Sequence, residues 1–171
     1  ARRLAPELGT WTARVASIRI ERAGEAFVRG LIDERTFIKF QYETFDVLAE
    51  RAGEFNEDQE GWELLIELGI GLSRHTQLAN LIDLHLMGAI GAGQIQHVLL
   101  GPLSEALLGA GRFEFFRTLL AKNPPNERGR TSLGWLECAW LVCAGRDGEA
   151  RKQMEQLPPI PTEMSATGLL L

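Results

Sequence analysis

The side chains with chemistry to offer are three histidines, His75, His85 and His97, two cysteines, Cys138 and Cys143, and nine carboxylates between 43 and 67. A zinc site is signalled in sequence by short spacings such as Cys-x-x-Cys or His-Glu-x-x-His, which set a pair of ligands on the metal at about 2 Å. Neither spacing occurs. Asp83 and His85 are two apart, which on a helix sends them to different faces. His85 falls with Leu78, Leu81 and Ile82 and reads as a partly buried, hydrogen-bonded histidine. The string Gly88-Ala-Ile-Gly91-Ala-Gly93 has the glycines of a phosphate loop, but no strand precedes it and no Lys-Ser/Thr follows. Ser73 and Ser104 lie outside any Gly-x-Ser-x-Gly elbow. Cys138 and Cys143, five apart on one helix, point about 140° away from each other at 100° per residue, so they do not pair and a reducing compartment is expected. Beside Trp135 and Trp140 they read as buried, inert thiols. The expectation is a chain with no catalytic residue, no metal and no cofactor. A small all-α enzyme built around His85 is kept as the last alternative, with no motif behind it.

Charge is more informative. Glu43, Asp46, Glu50, Glu54, Glu57, Asp58, Glu60, Glu63 and Glu67 face only Arg51 in their segment, whereas residues 1–30 hold six Arg against three Glu. The plain reading of the acidic block is a solvated corner between helices. The functional alternative is a docking surface for a basic partner centred on Glu57, Asp58 and Glu60, or a self-association patch that meets the Arg-rich first helix of a second copy. The required Asp-x-Asp-x-Asp-Gly of a calcium loop is missing. A net charge of −5 and a pI near 5.3 run against phosphate binding, so no nucleic-acid partner is expected. The most apolar stretch, 78–110, is broken by His85, Gln94, Gln96, His97 and Ser104, so no membrane insertion is expected of this segment and a cytoplasmic setting is the working assumption.

The elements that would position these groups are helical. Leu occurs 26 times and Ala 18 times against 5 Val among 171 residues, which favours an all-α chain. Apolar periodicity predicts a lead-in over 1–9 and a helix from Trp11 to Arg29 whose core face carries Val15, Ile18, Phe27 and Leu31. Gly30 is its predicted C-cap. Asp33 caps a second helix over 34–52, and an Asn56–Gln59 box opens a third over 57–72. Further helices are expected over 76–90, from Gln94 to Gly111 with Pro102 as a kink, and over 113–122, 131–144 and 147–157. The polar loop 123–130 is the expected longest break and proteolytic site.

The chain also repeats itself. A shift of 34 residues lays Ala110-Gly111-Arg112 on Ala144-Gly145-Arg146, Pro124-Pro125 on Pro158-Pro159, Leu99 on Leu133, Leu107 on Leu141 and Arg117 on Arg151, eight identities in 29 aligned pairs. Chance would give about two. A 34-residue unit of helix, glycine turn, helix and proline exit, with Gly145, Glu149 and Ala150 spaced as Gly-x-x-x-Glu-Ala, resembles the tetratricopeptide repeat family over 97–159. Trp135 stands one position from the family's Trp, Pro158 comes early, and Phe116 takes the place of the small Ala.

The resemblance implies antiparallel helical hairpins stacked as a right-handed array that holds a peptide, a helix or another subunit. Trp135, Leu141, Gly145, Glu149 and Ala150 are then scaffold positions. Contacts to a protein or peptide partner are expected from exposed Glu137 on the first helix of a hairpin and from Arg112, Arg117 and Arg146. Phe113, Phe115 and Phe116 read as packing. The expected organisation is an N-terminal helical region, 1–96, two repeats, 97–159, and a Pro-containing tail, 160–171, as one continuous domain. Function is expected to be that of a non-enzymatic interaction scaffold, a piece of a longer protein able to form homo-oligomers. The alternative is a soluble regulatory domain of a membrane protein or enzyme, with Gly168-Leu-Leu-Leu171 opening a further helix.

Overall fold

The computed structural model describes the backbone of residues 5–55 and 59–159 and the side chains of 11–55 and 60–159. Among these residues the chain is all-α. Its elements are α1 (Ala5–Val28), α2 (Glu34–Glu50), a 3-10 turn (Ala52–Glu54), α3 (Gln59–Gly71), α4 (His75–His85), α5 (Met87–Ala92), α6 (His97–Gly109), α7 (Phe113–Lys122), α8 (Glu127–Cys143) and α9 (Asp147–Met154). No helix among the described residues is long and apolar enough to cross a membrane. The chain divides into two compact units, Ala1–Met87 and Gly88–Leu171, so the division falls ahead of the one expected after residue 96.

In the first unit α1 packs on α2 and α3, and α3 packs on α4. The face α1 turns inward is not the large apolar one. Ala13, Ala16 and Ala23 are buried, while Val15, Ile18, Phe27 and Leu31, expected in the core, are exposed. Methyl side chains let helix axes approach closely, and that close approach sets the orientation of α1. The core itself comes from Phe45, Leu48, Phe55, Trp62, Leu65, Ile66, Leu78 and Ile82, all at most 2% exposed, each worth roughly 1.5–3 kcal/mol of burial. α3 and α4 meet so closely that a Cβ on Gly69 would stand 2.5 Å from Leu78 Cδ1.

The junction signals were legible. Asp33 Oδ1 accepts from Thr36 N at 2.8 Å, as an N-cap should, and Thr36's hydrogen bonds hold the Asp33 carboxyl below its ordinary pKa. Gly30 takes φ +69° and closes α1. The proposed Asn56–Gln59 box lies outside the described side chains. The single helix expected over 76–90 is two, broken at Leu86, whose N–H still reaches Ile82 O at 2.8 Å.

In the second unit α6 packs on α7 and α8, and α8 packs on α9. Pro102 sits inside α6 without ending it. The second half of the predicted loop 123–130 is helix, because the Asn126 side chain accepts from Gly129 N at 2.8 Å and starts α8 at Glu127. Among residues aligned by the 34-residue shift, Leu99 and Leu133, Leu107 and Leu141, and Phe116 and Ala150 are buried on both sides, whereas Leu108 and Phe113 are buried and their counterparts Val142 and Asp147 exposed. Asn123 is buried too. Its Oδ1 accepts from Ile95 N at 3.0 Å, and its Nδ2 donates to Ile90 O at 3.2 Å and Leu119 O at 3.1 Å, which fastens the α5–α6 connection to the end of α7.

Candidate functional site

Among the described residues five helix ends close through one left-handed residue, Gly30, Ser73, Gly93, Gly111 and Gly145, and at three of them an arginine follows. After α6, Gly111 takes φ +70°, its N–H bonds Leu108 O, and Arg112 N bonds Leu107 O, both at 2.8 Å. After α8, Gly145 at φ +70° and Arg146 repeat the pattern onto Val142 O and Leu141 O, at 2.9 and 2.8 Å. After α3, Ser73 at φ +56° and Arg74 do the same onto Ile70 O and Gly69 O, at 2.9 and 2.7 Å. This is the pairing that satisfies the last carbonyls of a helix through one left-handed residue. In each case the following arginine stands at the N-cap of the next helix and lays its guanidinium over an aromatic ring: Arg74 over Tyr42 at 5.0 Å, Arg112 over Phe115 at 5.9 Å, Arg146 over Phe113 at 4.6 Å.

Because Phe113 opens α7, the Arg146 contact sets the start of α9 beside the start of α7. A charged cluster follows from that neighbourhood. Arg146 donates twice to Glu149, both at 2.7 Å. Arg117, half-buried on α7, donates through Nε to Glu137 at 2.9 Å and through Nη1 to Glu114 at 2.8 Å, and lies 3.7 Å from Glu149. Gln153 of α9 donates to the other oxygen of Glu137. Burial works against the Arg117 charge, but the Glu137 bond and the carboxylates of Glu137, Glu114 and Glu149 outweigh it and raise its pKa. The Arg146 hydrogen bonds lead in holding the Glu149 carboxyl below its ordinary pKa. Beside the cluster opens a cleft of about 500 Å³ lined by Arg117, Glu149, Lys152, Gln153, Gln156 and Leu157.

The sequence-based candidates divide accordingly. Arg117 bridges Glu137 and Glu149, Glu149 in turn reaches Arg146, and Arg112 stands at the neighbouring junction. Glu137 was expected to be exposed and is 4% exposed. It faces inward because two donors, Arg117 and Gln153, converge on it, and a buried carboxylate needs such partners. Glu60 is exposed on α3, and Glu57 and Asp58 lie outside the described residues. Sequence reading missed Lys152, Gln153 and Gln156, which sit on α9 and just past its end and carry no motif.

The remaining chemical groups stay apart. His85 is exposed rather than partly buried: it closes α4, and one side of its ring lies toward Trp62, with centroids 6.4 Å apart, and against Gly53. Cys138 is buried, with burial and then Glu137 raising its thiol pKa. Cys143, expected to be buried, is exposed, since five residues along α8 lead to the solvent face. No group of three His, Cys, Asp or Glu among the described residues is placed to hold a metal ion. Phe113 and Phe116 are buried in the packing of α7. Comparison with protein-family models, with curated proteins and with solved structures yields no significant match.

Proposed function

We propose that this chain is a non-enzymatic scaffold of helical hairpins that holds a segment of another protein, and that α6–α9 are two tetratricopeptide-like repeats. The observation that carries the reading is the cleft beside α9. Its floor is preorganised, since Arg117, Glu137 and Gln153 are fixed on one another, and its wall offers Lys152, which makes no ion pair among the described residues. Charge held in place before a ligand arrives favours selective capture. The repeat reading is supported by the like junctions at Gly111 and Gly145 and by the shared burial of aligned residues.

Cross-linking capture from native lysate tests it, with wild type compared against Lys152→Glu and the double reversal Arg112→Glu/Arg117→Glu, each checked for helicity by circular dichroism. A protein retained by wild type and lost with folded Lys152→Glu is the expected result. An identical set of captured proteins with wild type and Lys152→Glu would remove the cleft from the reading.

A further inference from the structure

After α9 the chain turns back onto α8. Gln156 N and Leu157 N bond Gln153 O and Met154 O at 3.0 and 3.3 Å, and Leu157 then packs on Gly134, which is buried midway along α8. A Cβ on Gly134 would stand 2.6 Å from Leu157 Cδ2, so the leucine fills a notch that exists only because residue 134 has no side chain. Beside it Trp135 Nε1 donates to Pro158 O at 2.9 Å. Residues 156–159 thus form a strap held by one apolar group in a notch and one indole-to-carbonyl hydrogen bond, with Gln156, Pro158 and Pro159 exposed. Aromatic-walled grooves take proline-rich segments in this way: each proline fixes its own φ, keeps the residue before it out of helix, and offers its carbonyl to a ring donor.

The 34-residue shift lays Leu157-Pro158-Pro159 on Asn123-Pro124-Pro125, and the two segments are fastened very differently. Asn123 is 5% exposed and holds Ile90, Ile95 and Leu119 by three hydrogen bonds. Leu157 is half-buried, and its segment has one side-chain hydrogen bond among the described residues, on an exposed edge. Segments with few buried contacts and solvent-facing hydrogen bonds open locally while the rest of the fold stands. Gly134 and Trp135 have no counterpart in the first hairpin, where Leu100 and Gly101 take their places. We infer that the strap is a releasable plug, and that the notch it fills is a binding site for an extended Leu-Pro-Pro segment of another protein. The plug itself gives the occupant's chemistry: a leucine for the notch at Gly134, a proline carbonyl for Trp135, and prolines that leave little conformational freedom to lose on binding. Leu157 and Gln156 also line the α9 cleft, so plug and cleft share a wall.

The test titrates the full chain with a capped, uncharged peptide, Gln-Leu-Pro-Pro, followed by NMR at the indole N–H of Trp135, which is assigned by its loss in Trp135→Phe. Leu157→Ser removes the plug's anchor, and with helicity unchanged it binds the peptide roughly tenfold more tightly than wild type, in which the closed strap hides the notch in most molecules. Gly134→Ala, which fills the notch while favouring helix, and Trp135→Phe, which keeps a ring and loses the donor, each abolish that binding when added to Leu157→Ser. No binding to Leu157→Ser, equal binding to wild type, an unmoved Trp135 resonance, or equal binding of Gln-Ser-Pro-Pro overturns the inference. A second measurement needs no variant: in wild type the Trp135 indole proton exchanges with solvent by local opening, at a rate that low urea does not change, and exchange through global unfolding alone overturns the plug. The inference rests on the scaffold reading and fails apart from it, because Lys152→Glu decides the cleft and leaves the uncharged peptide bound as before.

Discussion

Asn123 satisfies three backbone groups with one amide, accepting a hydrogen bond from Ile95 N and donating two, to Ile90 O and Leu119 O. In the sequence it is the first residue of Asn-Pro-Pro-Asn and reads as an ordinary turn residue, since nothing local marks its partners 28 and 33 residues away. Asn123→Ala orphans buried groups, and the expected loss is about 2 kcal/mol by urea denaturation; a change below about 0.5 kcal/mol would show that water replaces the amide at no penalty. Glu149 is the contrasting case at this scale. Its lowered pKa means that the folded state favours its charged form, so its contribution is full at neutral pH and fades as the pH falls through the lowered value. The stability difference between wild type and Glu149→Gln should therefore shrink to nothing on acidification; a difference that persists at pH 2 would place the effect in packing.

At the scale of elements, the junctions divide into glycine and non-glycine versions of one backbone shape. A Cβ on Gly111 or Gly145 would meet no atom within 4 Å, so alanine there tests backbone strain alone, at about 1–2 kcal/mol each. Ser73 already carries that strain at φ +56°, and Ser73→Gly should move stability the other way by up to about 1 kcal/mol. Thermal or urea unfolding of the three variants reads the signs directly, and a destabilised Ser73→Gly would break the equivalence. Helix existence and the caps at Asp33 and Gly30 were legible because each rests on neighbours within a few residues. The orientation of α1 was not. Its large apolar residues outnumber its alanines in hydrophobicity, yet close approach to α2 and α3 selects the small ones, a tertiary effect that periodicity does not contain. The charged cluster was half legible: Arg117, Glu137 and Arg146 stood out as charged residues, but the bridging of Arg117 and Arg146 by Glu149 and of Arg117 and Gln153 by Glu137 needed the packing of α7, α8 and α9.

For the whole molecule the net charge is unevenly shared. Residues 1–87 hold 10 Lys and Arg against 15 Asp and Glu, and residues 88–171 hold 8 against 8, so the −5 belongs entirely to the first segment. Within it the acids crowd into 43–67. Repulsion among like charges is screened as the Debye length falls from about 30 Å at 0.01 M salt to about 8 Å at 0.15 M. The midpoint of thermal unfolding, followed by circular dichroism, should rise across that range. A fall would mean that ion pairs such as Arg117–Glu137 dominate the balance.

The hairpins also bear on time. Packed partners such as α1 with α2, α3 with α4, α6 with α7 and α8 with α9 are consecutive in the chain, so the search that brings them together closes short loops. Chains whose contacts are this local reach the native state in microseconds to milliseconds, within the reach of temperature-jump or stopped-flow methods. A nascent chain with that arrangement can complete each hairpin soon after its second helix is synthesised, well before the following one exists.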